Sequence, residues 1–261
     1  MSAAIRWARY RKPDGRVGFG MLEDDRIVEY AGDLFDSPQA TGSAIERTEV
    51  TLLAPCAPTK MVALWNNFHE LKAKLGKQAP AHPLFLLKPA SSIIGPDEPI
   101  RRPTGYAGKI AYEGELGIVI GRRCKDVSRA EAAGYIFGYT CVNDVTAADV
   151  LNETPDFAQW CRSKGYDTFG CIGPVIATQL DLNQTRIVTR LGGSERQNYP
   201  VSDMIMSPSD LVSRLSHDMT LMPGDVIACG TSLGIGSIRD GTAVEVYIDG
   251  IGSLTNVLAP A

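Results

Sequence analysis

Two glutamates stand two positions apart, Glu113 and Glu115 in AYEGELGIVIG, at the start of an apolar run that reads as a β-strand. Alternate residues of a strand point to one face, so both carboxylates would project together. Two like charges that close call for a cation, and hard oxygen ligands on a semi-rigid strand suit Mg²⁺ or Mn²⁺ better than Zn²⁺. Asp144, at the end of YIFGYTCVND, stands where another strand meets a loop and would supply a third ligand. Three carboxylates leave coordination positions open for water and a chelating substrate. The same E-x-E spacing also fits a solvated strand edge that holds no ion, and Asp149 and Glu153 nearby read as helix surface.

The elements that must position these carboxylates are mostly strands. The N-terminal segments IRWARYRK, RVGFGMLE and RIVEYAG are separated by the turns PDG and DD, and Val17, Phe19 and Met21 alternate at period two. They predict a small β-rich lobe over residues 1–57, ending in the Pro-bearing LLAPCAP, and a larger domain over residues 58–261. In the larger domain LFLLKP and GELGIVIG are strand candidates, and the Pro- and Gly-rich stretch between them, centred on residues 91–109, is a long irregular loop. A capping box, Ser128 with Glu131, predicts a helix through AEAAGYIFG, and Ser207-Pro208 opens another with Leu211 and Leu215 on one face. PGDVIACG and GTAVEVYIDGIGSLTN read as strands joined by tight turns. Long strands, irregular loops and few helices indicate an α+β, mainly β architecture rather than a doubly wound sheet.

The bulk properties narrow the function classes. With 44% hydrophobic and 21% charged residues, the 261-residue chain has globular composition. A formal net charge of -4, without a basic patch interleaved with aromatics, predicts no nucleic-acid partner. No apolar stretch is long enough to span a bilayer, and the basic N-terminus MSAAIRWARYRKPDGR lacks the apolar core of a secretory signal, so no membrane partner is expected. Six cysteines without a C-x-x-C pair read as buried free thiols in a reducing cytoplasm. GTSLGIG fits neither a dinucleotide nor a Walker spacing, and no G-x-S-x-G elbow is present.

In this order, YEGELGIVIG, GYTCVND, SKGYDTFGCIGP, LMPGDVIACGT and DGIGSLTN resemble the catalytic domain of the fumarylacetoacetate hydrolase family, over roughly residues 60–258. The resemblance implies that family's mixed β-sandwich or roll, commonly a homodimer, preceded by a small N-terminal lobe. It implies that Glu113, Glu115 and Asp144 bind the metal, that Lys164 is the active-site lysine, and that Thr231, with Gly230 beside it, holds the substrate carboxylate. A 2-oxo acid chelated through carboxylate and ketone oxygens would then react through a metal-stabilised enolate, whether by C–C cleavage, decarboxylation or tautomerisation. His69, the only histidine near a family motif, is the candidate base, whereas His82 and His217 look structural or exposed.

The chain also departs from the family pattern. Where the hydrolases carry a glutamate three residues after the histidine, this chain has Lys72, and the usual Gly-Thr-Pro is Gly230-Thr231-Ser232. Glu70 and Glu98 are substitutes that the sequence cannot place. Hydrolysis of an acylpyruvate-like C–C bond leads as the commoner family activity, within aromatic compound catabolism. An isomerase, tautomerase or decarboxylase of a 2-oxo diacid, which needs no attacking water, and a non-catalytic metal or ligand-binding module are the alternatives. Trp65, Asn66 and Asn67, with the loop 91–109, are expected to read the distal end of the substrate.

Overall fold

The computed structural model describes residues 5–260; residues 1–4 of the N-terminal lobe and Ala261 lie outside the described residues. Strands β1 (Arg6–Arg11), β2 (Val17–Glu23), β3 (Arg26–Asp33), β4 (Asp36–Glu46) and β5 (Thr51–Leu52) come first. Then follow β6 (Lys60–Trp65), helix α1 (His69–Lys74), β7 (Leu84–Pro89), β8 (Ile93–Ile94), β9 (Ile110–Tyr112) and β10 (Gly114–Ile120). The middle holds α2 (Arg129–Ala132), β11 (Ile136–Asp144), β12 (Thr146–Ala147), α3 (Trp160–Lys164) and β13 (Gly170–Ala177). The last third holds β14 (Arg186–Leu191), β15 (Ser194–Pro200), α4 (Pro208–Asp218), β16 (Val226–Ala228), β17 (Gly236–Ile238), β18 (Ala243–Ile248) and β19 (Gly252–Val257).

One large sheet runs β4-β3-β2-β1-β13-β11-β10-β16-β6-β7, with β5 on β1 and β8 on β13. The short 3₁₀ turn Ala90–Ser92 is all that separates β7, at the far edge, from β8, which pairs in parallel with β13. The chain therefore bridges the two sides of the series β13-β11-β10-β16-β6-β7, and that part of the sheet is rolled. Alternating residues face into the roll: Met61 and Ala63 of β6, Leu86 of β7, Val119 of β10, Val142 of β11, Ile172 of β13 and Ala228 of β16 form one buried cluster. The opposite faces, with Leu116, Ile118, Cys141 and Ile227, pack in a second core with Ile187, Val244, Val246 and Leu254 of the four-stranded sheet β15-β14-β18-β19. The molecule is thus mainly β, with a roll covered by a second sheet.

Most strand expectations hold, and the differences have physical causes. The capping box at Ser128 forms, but α2 ends at Ala132 and a 3₁₀ turn passes into β11 at Ile136. There the run IFGYTCVND satisfies its backbone by pairing with β10 and β13, and tertiary pairing overrides the helical continuation. Strand β4, polar and carrying Pro38 and Gly42, was not foreseen; it is an exposed edge with broken register against β3. Because β1 pairs with β13, the N-terminal strands continue the large sheet. Cys161 is exposed, against the expectation of buried thiols; the other five cysteines are buried and all six are free. No helix of the described residues is long and apolar enough to cross a membrane.

Candidate metal centre

The mouth of the roll gathers the acidic residues. Glu115 lies opposite Val142 in the β10–β11 ladder and two residues before Gly117, so its side chain shares the inward face with Val142 and Val119. Asp144 is two residues beyond Val142 on the same face. Glu113 is not in the strand: the ladder breaks between β9 and β10, and its backbone is pinned instead by Asn143 Oδ1, which accepts its N–H at 3.1 Å, and by the Asp144 N–H, which donates to its carbonyl at 2.9 Å. One oxygen from each of Glu113, Glu115 and Asp144 lies within 4.8 Å of the others.

Two buried lysines partly balance this charge. Lys164, at the end of α3, reaches Asp144 Oδ2 at 2.6 Å and Glu113 Oε2 at 3.0 Å. Lys88, on β7, reaches Asp144 Oδ1 at 2.5 Å and donates to the Val145 carbonyl at 3.1 Å. Sequence reasoning missed Lys88, although period two along LFLLKP places it on the face of Leu86. In a flat sheet, four spacings of about 4.8 Å would separate β11 from β7, roughly 19 Å and beyond the reach of one lysine. The Lys88–Asp144 pair spans the roll.

The environments of the carboxylates diverge. Burial raises Glu115 well above the ordinary carboxylate value, and the Asp144 and Glu113 charges raise it further. Burial also raises Glu113, against the lowering influence of Lys164. Asp144 goes the other way: burial pushes it up, but Lys164 and Lys88 outweigh burial and hold it low. For Lys164, burial pulls down while Asp144, Glu113 and Glu115 outweigh it and keep the ammonium above its ordinary range. For Lys88 burial prevails over Asp144, and its value is lowered.

Glu115 Oε2 accepts the Gly230 N–H at 2.8 Å, whereas Glu115 Oε1 is buried without a hydrogen-bond partner among the described residues. Gly230 has φ of +90°, and a Cβ there would stand 3.2 Å from the Leu64 carbonyl oxygen, which is why glycine occupies this point. Thr231 is buried; its hydroxyl donates to the Gly114 carbonyl at 3.1 Å and accepts from Gln197 Nε2 at 2.8 Å. Tyr199 donates to the same carbonyl at 2.5 Å. Nothing in the sequence around Gln197 and Tyr199 marked them as neighbours of Thr231; the sheet β14–β15 brings them there.

His69 is exposed as the first residue of α1, and among the described residues its ring has no hydrogen-bond or ion-pair partner. The preceding turn is held firmly: Asn67 Nδ2 donates to the Cys229 carbonyl at 3.0 Å and Asn67 Oδ1 accepts the Met206 N–H at 2.9 Å. The Asn67 amide is therefore committed to the backbone rather than free to read a substrate. Neither Glu70 nor Glu98 is placed as a partner for His69: Glu70 is exposed, and Glu98 accepts the Gly95 N–H at 2.9 Å in its own loop. Asp203, not foreseen, is the carboxylate at this turn, accepting the Glu70 N–H at 3.1 Å. His82 and His217 are both exposed.

This arrangement matches a known profile: residues 60–259 fit the fumarylacetoacetate (FAA) hydrolase C-terminal family, and residues 5–55 fit the Rv2993c-like N-terminal family. The chain belongs to the fumarylacetoacetate hydrolase family. Among solved members, 5-carboxymethyl-2-hydroxymuconate delta-isomerase from Mycobacterium smegmatis is 40% identical, with a TM-score of 0.90 and coverage of 98% of this chain and 99% of that one. Oxaloacetate tautomerase YisK of Bacillus subtilis is 31% identical over 255 residues, 90% of this chain and 84% of its own length. Maleylpyruvate hydrolase from Sphingobium sp. SYK-6, solved in complex with manganese(II) ion and pyruvate, is 26% identical with a TM-score of 0.80, covering 98% of this chain and 99% of that one. The fumarylacetoacetate hydrolase fold therefore carries isomerase, tautomerase and hydrolase members among these relatives.

The residues present fit a divalent cation. Three carboxylate oxygens converge, the donor set is hard oxygen, and the buried Oε1 of Glu115 lacks the donor that burial would otherwise require.

Proposed function

We propose that the chain is an isomerase or tautomerase of a small 2-oxo acid, moving a proton between C3 and the oxygen on C2, with Mg²⁺ or Mn²⁺ held by Glu113, Glu115 and Asp144. The observation that carries the reading is Lys164, an ammonium sealed against Asp144 and Glu113 in the cluster that holds the buried, unpartnered Oε1 of Glu115. A divalent ion at these carboxylates would supply Lewis-acid charge to the oxygens of the 2-oxo acid head. Lys164 Nζ, kept protonated by its carboxylate neighbours, adds a donor and positive charge where the C2 oxygen gains electron density. His69, two residues beyond the Asn67 clamp, takes the C3 proton, and Thr231 beside Gly230 orients the substrate carboxylate by turning its hydroxyl from the Gly114 carbonyl to the substrate. No water is consumed, so Lys72 in place of a glutamate is no obstacle.

A second reading, hydrolysis of an acylpyruvate C–C bond, is favoured by Asp203, whose carboxylate stands at the first turn of α1 and would pair His69 for water activation. Proton NMR in D₂O, with the Mg²⁺-loaded enzyme and either oxaloacetate or an acylpyruvate, separates the two. Exchange at C3 without net cleavage, lost in Lys164→Met, is expected. Cleavage of the acylpyruvate as fast as exchange would establish the hydrolytic reading instead, and no reaction with either would contradict both. A homodimeric assembly, a cytoplasmic location and a role in aromatic compound catabolism belong to the same proposal. They are supported by the family and, for the compartment, by six unpaired cysteines.

A further inference from the structure

A cavity of about 320 Å³ is lined by Trp65, Leu84, Phe85, Leu86 and Trp160. Two of its walls are tied to the site through the fold. In the ladder, Gly117 of β10 faces Ala228 of β16, and Ala228 faces Ala63 of β6. Two residues on, Glu115 and Trp65 occupy one level on the same inward face, with Gly230 between them donating to Glu115. Two strand spacings, about 10 Å, separate their backbones. Trp160 is four residues before Lys164 on α3, which places the two side chains on one helix face a turn apart. The two indoles, both in the cavity wall, meet with centroids 5.6 Å apart at 50°.

We infer that this aromatic cavity is the subsite for the distal end of the substrate, and that it takes an uncharged apolar tail, aryl or alkenyl, on a 2-oxo acid. The inference rests on the proposed reading of the carboxylate cluster as the place that holds the 2-oxo acid head. None of the lining side chains carries a charge, so a second carboxylate placed there would lose its hydration without a partner. Lys77 sits 5.6 Å from the Trp65 ring centroid but is exposed and is not part of the lining. Leu84 and Phe85 remain 40% and 38% exposed, apolar surface that a tail lying in the cavity would remove from water. Flat aromatic walls select a planar or compact apolar group by contact area rather than by hydrogen bonds.

The test is calorimetric binding to the Mn²⁺-loaded full chain of three ligands: oxalate, which is head alone; 2-oxo-4-phenylbutanoate, with an aryl tail; and 2-oxoadipate, a diacid. Trp160→Ala is expected to weaken 2-oxo-4-phenylbutanoate by at least about tenfold while leaving oxalate within about twofold. Phe85→Ser, at a partly exposed position, gives the same pattern should Trp160→Ala fail to fold. The wild type is expected to bind 2-oxo-4-phenylbutanoate more tightly than 2-oxoadipate, with a change in tryptophan emission that oxalate does not cause. Equal weakening of oxalate and the aryl acid, no weakening of either, or preferential binding of 2-oxoadipate overturns the subsite. A halved mass by light scattering in the variants with unchanged ligand affinities also overturns it, since the cavity would then be a contact with a second copy. Failure of oxalate to bind the Mn²⁺-loaded wild type would instead sink the 2-oxo acid reading on which the subsite depends.

Discussion

At the scale of the residue, Glu115 joins burial to an unmet polar need: one oxygen rests on the Gly230 amide, the other has no partner, and both sit inside the roll. With its folded value raised well above the unfolded one, Glu115 keeps its proton in the metal-free protein at pH values where an unfolded glutamate has lost it. That proton linkage stabilises the metal-free fold fully below the ordinary carboxylate range and is lost as pH climbs through the raised value. A cation reverses the preference, because it needs the ionised form. The rise in melting temperature on adding Mn²⁺ is therefore predicted to grow from pH 5.5 to pH 8 in differential scanning calorimetry; a rise that is equal at both, or larger in acid, would contradict the assignment of Glu115 as a ligand. The E-x-E spacing and the terminal Asp144 were legible because strand periodicity is a local property. The convergence of Gln197 and Tyr199 on Thr231, and of Asp203 on α1, was not, since those contacts span 34, 32 and 133 positions and are set by how sheets stack.

At the scale of the element, the edge strand β7 does two things. Its Leu86 fills the roll and its Lys88 crosses to Asp144, while β8 immediately beyond pairs with β13. Lys88 is 0% exposed, so the pair is a buried ionic link across the roll between β7, its last strand, and β11. Removing Lys88 takes one of two ammonium groups from Asp144, whose other oxygen keeps Lys164, so the cost falls at the low end of that for breaking a buried pair, about 3 kcal/mol. Lys88→Met, similar in length, is predicted to lose about that much in urea denaturation of the metal-free protein; a loss below about 1 kcal/mol would show that the roll closes without it. LFLLKP was readable as a strand, but its inward-facing lysine was missed. What the local pattern lacks is any sign that the sheet rolls, because the roll follows from the non-local pairing of β8 with β13. The same limit explains α2: its capping box was legible, but not the point where pairing with β10 takes the chain away from the helix.

At the scale of the molecule, the roll supplies a dry interior and an open end, the second sheet stiffens the outer face of the roll, and the N-terminal strands extend the large sheet beyond β13. The five ordered motifs and the mainly β character were visible in the sequence, and the family match over residues 60–259 agrees with them. The pairing of β10 with β11 was not visible, and it is this pairing, continued by the Asp144 N–H donating to the Glu113 carbonyl, that brings Asp144 to Glu113 and Glu115 within 4.8 Å. The central claim is that this cluster is a divalent-metal centre. Glu115→Gln tests it most directly, because the amide keeps the shape of the side chain, removes the anionic ligand oxygen and suits a site where burial disfavours the charge. Titration with Mn²⁺, followed by electron paramagnetic resonance at pH 8, is predicted to give one tight site per wild-type chain and none in Glu115→Gln, whose metal-free melting temperature is at least that of the wild type. Equal Mn²⁺ affinity in the two proteins would contradict it.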